Sequence, residues 1–142
     1  MDKIGKVVKV QEIIKTEPKP EESLYSKYIR ERQGATCIEL ECGFISYRVE
    51  SKDNKKLMHI VDIFVDKDFR SGTKHTAVPL LRSIIKKAKK YKCDAITSTI
   101  YVNTVNATDS LKANLYYGFK VVSANNNIIF LMREIDAPFR EE

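Results

Sequence analysis

Residues Ile60 to Leu81 read IVDIFVDKDFRSGTKHTAVPLL. The segment begins dense in β-branched and aromatic residues, turns polar and basic, and ends on the opening of an apolar helix. A strand, a loop and a helix in that order suit an anion, because the first N–H groups of a helix lack intrahelical acceptors and its dipole favours negative charge beside them. Gly72 would let the backbone approach such a ligand closely, and Arg70, Lys74 and His75 would supply donors. A diphosphate is the natural occupant, although a charged loop between a strand and a helix is more often only a loop.

Working outward, the helix after this loop carries Leu80, Leu81, Ile84, Ile85 and Ala88 on one face and Lys86, Lys89 and Lys90 largely off it, which reads as a solvated lysine face. Upstream, Ala35 to Phe69 holds three strand-like segments, broken near Cys42-Gly43 and at the polar turn Ser51 to Lys56, and predicts an antiparallel meander. Downstream, Asp94 to Val102 predicts a strand and Asn106 to Tyr117 a short helix capped by Asn106 or Thr108. FKVVSA and IIFLMREI then flank NNN, a hairpin turn.

At the other end, Ile4 to Ile14 reads as a first strand, and Pro18 and Pro20 mark a loop. Glu21 to Gln33 predicts a helix with Leu24, Tyr25, Tyr28 and Ile29 on one stripe, acids in its first turn and arginines in its last, stopped by Gly34. The order is β-α-β-β-β-α-β-α-β-β, a mixed α/β (α+β) class: a central, mostly antiparallel twisted sheet of about six or seven strands flanked by about three helices.

The 142 residues suit one domain, divided as 1–34, 35–69, 70–92, 93–135 and a tail 136–142. Apolar residues are 43% and charged residues 31%, a globular balance, and no repeat is visible. No apolar run nears the roughly 20 residues that span a bilayer. MDKIGKVVKV lacks the apolar core of a signal peptide, so a cytoplasmic location and no membrane partner are expected. Cys37, Cys42 and Cys93 are odd in number and lack metal-ligand spacing, so reduced structural thiols and no metal are expected. The net charge of +6 suits an anionic ligand or nucleic acid, or serves solubility alone, since the lysines are spread along the chain.

Chain order and residues together resemble the GNAT superfamily of N-acetyltransferases. In IFVDKDFR, Val65 and Arg70 stand at that family's spacing between a strand-ending Val and an Arg, and Leu80-Leu81 open the following helix. In YVNTVNATDSLKANLYYGFKVV, Val102, Asn106 and Gly118-Phe119 match its second signature. The resemblance covers roughly Ala35 to Ile135, with Ile4 to Gln33 a weaker match. It departs from the family's R-x-x-G-x-G/A loop: Thr73 and His75 occupy the glycine positions, Gly72 is displaced, and the loop is longer. Compact proteins of this kind are frequent in bacteriophage genomes, so a viral source is a further expectation.

The resemblance implies acetyl-coenzyme A as cosubstrate, held by Phe64, Val65, Arg70, Ser71, Gly72, Thr73, Lys74, His75, Thr76, Ala77 and Asn106. It also implies that the strand ending at Val65 splays from the strand Asp94 to Val102, with the thioester in the gap and the Val65 N–H facing its carbonyl. His59, six residues before Val65, stands where the family places its base, and an imidazole of pKa about 6.5 suits proton uptake; a strand histidine packed on a neighbour is the alternative. Asp62 is a second candidate base, of opposite strand parity to His59 unless a bulge intervenes.

The family's acidic Tyr falls on Asn114, so Tyr116 or Tyr117 would have to replace it, and Tyr117 could equally be a core aromatic. Without such an acid the thiolate can still leave, with water supplying the proton. The implied acceptor is a small-molecule or protein amine, with Glu39, Glu41 and Glu50 as possible pocket carboxylates, and many family members pair as homodimers. The alternative reading is a catalytically degenerate GNAT-like binding or structural module with an anionic partner such as nucleic acid.

Overall fold

The computed structural model describes residues 22–69, 77–105 and 107–138. The expected first strand, Ile4 to Ile14, lies outside them. The first described helix, α1, runs Leu24–Gln33. The Ser23 hydroxyl caps it by accepting the Ser26 N–H at 3.0 Å, and Gly34, at φ 63°, ends it in the left-handed conformation that glycine adopts freely.

The four-residue apolar stripe expected on α1 is narrower in the structure: Ile29 is buried and Tyr25 half-buried, while Leu24 and Tyr28 face solvent. The buried partner of Ile29 is Ser26, whose hydroxyl donates to Glu39 at 2.6 Å, so a polar anchor replaces part of the apolar one. The expected first-turn acid also moves, since Glu22 precedes the cap and pairs with Arg30.

Three antiparallel strands follow: β1 (Thr36–Leu40), β2 (Gly43–Lys52) and β3 (Lys55–Val65). Asp53 and Asn54, at φ 53° and 64°, form the two-residue turn between β2 and β3, where both positions demand positive φ. A Cβ on Gly43 would lie 1.9 Å from the Phe64 carbonyl oxygen, so only glycine lets β2 approach the end of β3.

A short 3₁₀ turn (Lys67–Phe69) ends the meander. Helix α2 (Val78–Lys90), strand β4 (Ala95–Tyr101), helix α3 (Ala107–Tyr116) and the hairpin β5 (Lys120–Asn125) and β6 (Ile128–Glu134) complete the order. Among the described residues six strands form one sheet in the order β1-β2-β3-β4-β6-β5, antiparallel except for the β3–β4 pair. Among the described residues the mixed α/β class, with a mostly antiparallel sheet and three helices, is therefore the observed one. Thr108 lies within α3 and is not its cap; Asn106 is outside the described residues.

The core lies between α2 and one face of the sheet. Leu80, Leu81, Ile84, Ile85 and Ala88 of α2 meet Ile45, Tyr47, Met58, Ile60, Ile96, Ile100 and Leu131, joined by Ala113, Tyr117 and Phe119 from the end of α3. Lys86, Lys89 and Lys90 are exposed as expected. Cys37, Cys42 and Cys93 are free thiols. No helix among the described residues is long and apolar enough to cross a membrane.

Arg133 of β6 is 1% exposed and donates to the carbonyls of Tyr117 (2.6 Å), Glu134 (2.9 Å), Ile135 (3.0 Å) and Ala137 (2.5 Å). It thereby ties the end of α3 and the segment after β6 to the sheet. Arg133→Met would leave these acceptors without their donors, and urea titration should show a loss of about 3 kcal/mol, with an unchanged m-value.

Candidate active site

The register of β2 against β3 steps by one residue between Ser46 and Tyr47: Ser46 pairs with Asp62, Tyr47 with Ile60, and Val61 is extra. This bulge resolves the parity of the two candidate bases. Directly paired residues share a face, so His59 lies with its partner Arg48, and Asp62 with Ser46, two residues from Arg48 on the same strand. His59 and Asp62 consequently face the same side of the sheet, the side carrying Tyr25 of α1.

Beyond the bulge the sheet opens. Parallel pairing of β3 with β4 runs from Leu57–Ala95 to Ile60–Ser98 and ends there, while β3 continues to Val65 and β4 to Tyr101. A cleft of about 150 Å³ occupies the gap, lined by both strands and by Thr104, Ser110 and Asn114. Asp66 N–H donates to Cys42 O at 2.7 Å, and successive strand amides point to opposite edges, so the Val65 N–H is directed toward the side of the cleft.

Asp62 lines the cleft and accepts a hydrogen bond from the Tyr25 hydroxyl at 3.3 Å. Burial, and next the negative charge of Asp62, push the Tyr25 phenol up to about 12, so it stays a donor at neutral pH. Tyr25 packs on Phe44 (4.5 Å between centroids), and Phe44 on Phe64 (5.5 Å), a row of rings from α1 to the end of β3. The Ser46 hydroxyl is wholly buried and has no partner at bonding distance among the described residues, though it lies near enough to Tyr25 to favour the phenolate slightly.

His59 sits one pairing step behind the cleft, half-buried, with Nδ1 2.8 Å from Thr97 Oγ1. A ring donating through Nδ1 to Thr97 presents the Nε2 lone pair. Burial holds the imidazole below its ordinary 6.5, while the charges of Glu50 and Arg48 pull in opposite directions.

No protein-family model and no curated protein matches the chain. Solved structures do. An aminoglycoside 6'-acetyltransferase type Ii superposes with a TM-score of 0.60 at 12% identity, over 79% of this chain and 77% of the other. A GNAT-family acetyltransferase from Staphylococcus aureus Mu50 gives 0.54 at 18% identity, over 78% and 75%. PaiA N-acetyltransferase from Thermoplasma acidophilum, solved in complex with coenzyme A, gives 0.51 at 15% identity over 66% of this chain. The fold is that of the GNAT N-acetyltransferases. The chain spans 53% of the length of the Thermoplasma protein.

Within this GNAT fold the remaining candidates separate. Arg70, Ser71, Gly72, Thr73, Lys74, His75, Thr76 and Asn106 lie outside the described residues. Ala77, buried, occupies the N-cap of α2 and offers no side-chain cap. Phe64 is 43% exposed and Val65 is half-buried.

Neither Tyr116 nor Tyr117 lines the cleft. Tyr117 is wholly buried in the core, its ring edge-on to Tyr116 at 5.8 Å, because α3 ends at Tyr116 and turns the next residue inward. Asn114 lines the cleft from α3 instead. Glu39 is bonded by Ser23 and Ser26, which hold its carboxyl below the usual range; Glu50 pairs with Arg48 at 2.8 Å, and Glu41 is exposed in the β1–β2 turn. None of the three lines the cleft.

The depressed His59 value sets a direction for stability. The unfolded chain takes up its proton first as pH falls through 6.5, so the neutral ring's contribution is complete above that value and is lost as pH falls through the lower folded value. Thermal melts from pH 7.5 to 5 should show this loss in the native protein and a smaller one in His59→Gln.

Proposed function

We propose that the protein is an acetyl-coenzyme A-dependent N-acetyltransferase acting on a primary amine. The observation that carries this reading is the cleft where β3 and β4 part, with the Asp62 carboxylate on its wall. About 150 Å³ accommodates the reacting groups rather than a whole cosubstrate, whose remainder would lie along the α2 side of the sheet. Ala77 supplies no side-chain cap to α2, and on this reading the first-turn N–H groups of α2 would meet a diphosphate together with residues Arg70 to Thr76.

On this reading Val65 N–H stabilises the charge that develops on the thioester oxygen. Asp62, held by Tyr25, attracts the cationic acceptor from the α1 side. His59, oriented by Thr97, takes the amine proton through water, because it stands one step behind the cleft. The amine nitrogen bonds to the acetyl carbon, and the carbon–sulfur bond breaks with its electron pair on sulfur. Water protonates the thiolate: Nδ2 of Asn114 is committed to Ser110 O at 2.7 Å, and an amide is no acid.

Titration of the full chain with acetyl-coenzyme A, followed by calorimetry and thermal shift, tests the reading. A ligand at 100 times its Kd should stabilise the fold by about 2.7 kcal/mol, and an unchanged melt with no heat of binding would overturn the proposal. With binding established, the acid limb of kcat/KM should fall below pH 6.5 and disappear in His59→Gln, while cosubstrate binding is retained.

A further inference from the structure

Leu57, Phe130 and Met132 are partly exposed apolar side chains that do not join the core under α2. The register explains their position. Leu57 pairs with Ala95 and Ala95 with Glu134; His59 pairs with Thr97 and Thr97 with Met132; Thr99 pairs with Phe130. Directly paired residues share a face, so these side chains stand on the same side of the sheet as His59 and Asp62, while α1 itself packs on β1 at the sheet edge.

The side-chain sizes along these rungs make a trough. Ala95, Thr97 and Thr99 give β4 a floor of small residues, and the longer side chains of β3 and β6 rise on either side. Two strand spacings set the walls about 10 Å apart, and the floor from Ala95 to Thr99 runs about 13 Å. The trough encloses about 450 Å³ and has Leu57, Phe130 and Met132 as its apolar walls. At one end it meets the cleft between β3 and β4, because Thr99 lines that cleft and pairs with Phe130 of the trough. At the other, Lys52, Lys55 and Glu134 close the apolar stretch with charge.

A groove one chain wide, apolar along its length and ending beside the Asp62 carboxylate, complements an amphiphile with a cationic head. We propose that the trough holds the unbranched apolar chain of the acceptor, so that the protein prefers long-chain alkylamines, with the ammonium at Asp62 and the chain along β4. The inference rests on the N-acetyltransferase reading above and specifies the acceptor's body. Each methylene exchanges water for an apolar wall on one side and stays open on the other. About half of the full burial gain is a factor of about two in affinity per methylene.

The first test uses the full chain, acetyl-coenzyme A and n-alkylamines from butylamine to decylamine, kept below the concentrations at which they aggregate, with thiol release as the readout. The value of kcat/KM should rise about two-fold per methylene, on the order of 50-fold across the series, through KM rather than kcat. In the double variant Leu57→Gln with Met132→Gln, which makes both walls polar, the decylamine-to-butylamine ratio should fall by about five- to ten-fold. A flat series in the native protein, or an unchanged ratio in the double variant, overturns the proposal. So does a flat amine series beside a rise from butanoyl- to decanoyl-coenzyme A with butylamine as acceptor, which would assign the trough to the acyl chain.

A second measurement needs no turnover. The chain has three methionines, Met1, Met58 and Met132. Met58 is wholly buried under α2, and Met132 lines the trough. With isotope-labelled methionine methyl groups, decylamine should shift the Met132 resonance in NMR spectra and leave Met58 in place, and butylamine at the same concentration should shift neither. If Met132 is unmoved at the highest decylamine concentration that leaves Met58 unmoved, the proposal falls. A protein that neither binds acetyl-coenzyme A nor turns over any amine loses the N-acetyltransferase reading, and the Met132 resonance still decides the trough.

Discussion

The parallel hydrogen-bond ladder between β3 and β4 stops at Ile60–Ser98, and the site depends on that stop. Two adjacent strands rarely part in mid-sheet, because their inner backbone groups lose partners that water or a ligand must replace. Here each strand stays held on its outer side: β3 pairs with β2 as far as Gly43–Val65, and β4 with β6 as far as Tyr101–Ile128. The gap is thus fixed by two intact ladders rather than by a loose loop. Gly43 is part of the same arrangement, since any side chain there would collide with the Phe64 carbonyl and push β2 off the end of β3.

The bulge at Val61 divides the chemistry of β3 between the sheet faces. Before it, Met58 and Ile60 enter the core under α2; after it, Ile63 and Val65 return to that core. His59 and Asp62 are left together on the α1 side, although they are an odd number of residues apart. One inserted residue therefore places an imidazole whose pKa burial lowers and a carboxylate on the same face of the sheet. The row Tyr25, Phe44 and Phe64 covers part of this face and brings the Tyr25 hydroxyl to Asp62.

Much of the architecture was legible along the chain. The stripe from Leu80 to Ala88 has a helical period and a clear polar face, and it is buried where expected. The meander and the final hairpin follow from runs of β-formers broken by Asp53-Asn54 and Asn126, all of which take positive φ. The stripe on α1 misled because a short helix on the edge of a sheet buries only a narrow line, and there Ser26 with Glu39 does the work assigned to Leu24 and Tyr28. Tyr117 shows the limit of spacing arguments: a phenol near the end of a helix reads equally as acid or as core, and the rotation of the last turn decides for the core.

The sequence by itself determined the order of elements from α1 onward, the apolar face of α2 that must be buried, and the resemblance to GNAT proteins, because periodicity and turn chemistry are local properties of the chain. It also named His59, Asp62 and Val65 as residues near one strand end. Only the tertiary structure decided which of them share a face of the sheet, because a bulge is a mismatch between two strands and has no signature in one of them. The same holds for Asn114: its side chain has two polar ends, and only the packed helix shows that one is committed to Ser110 while the other is buried.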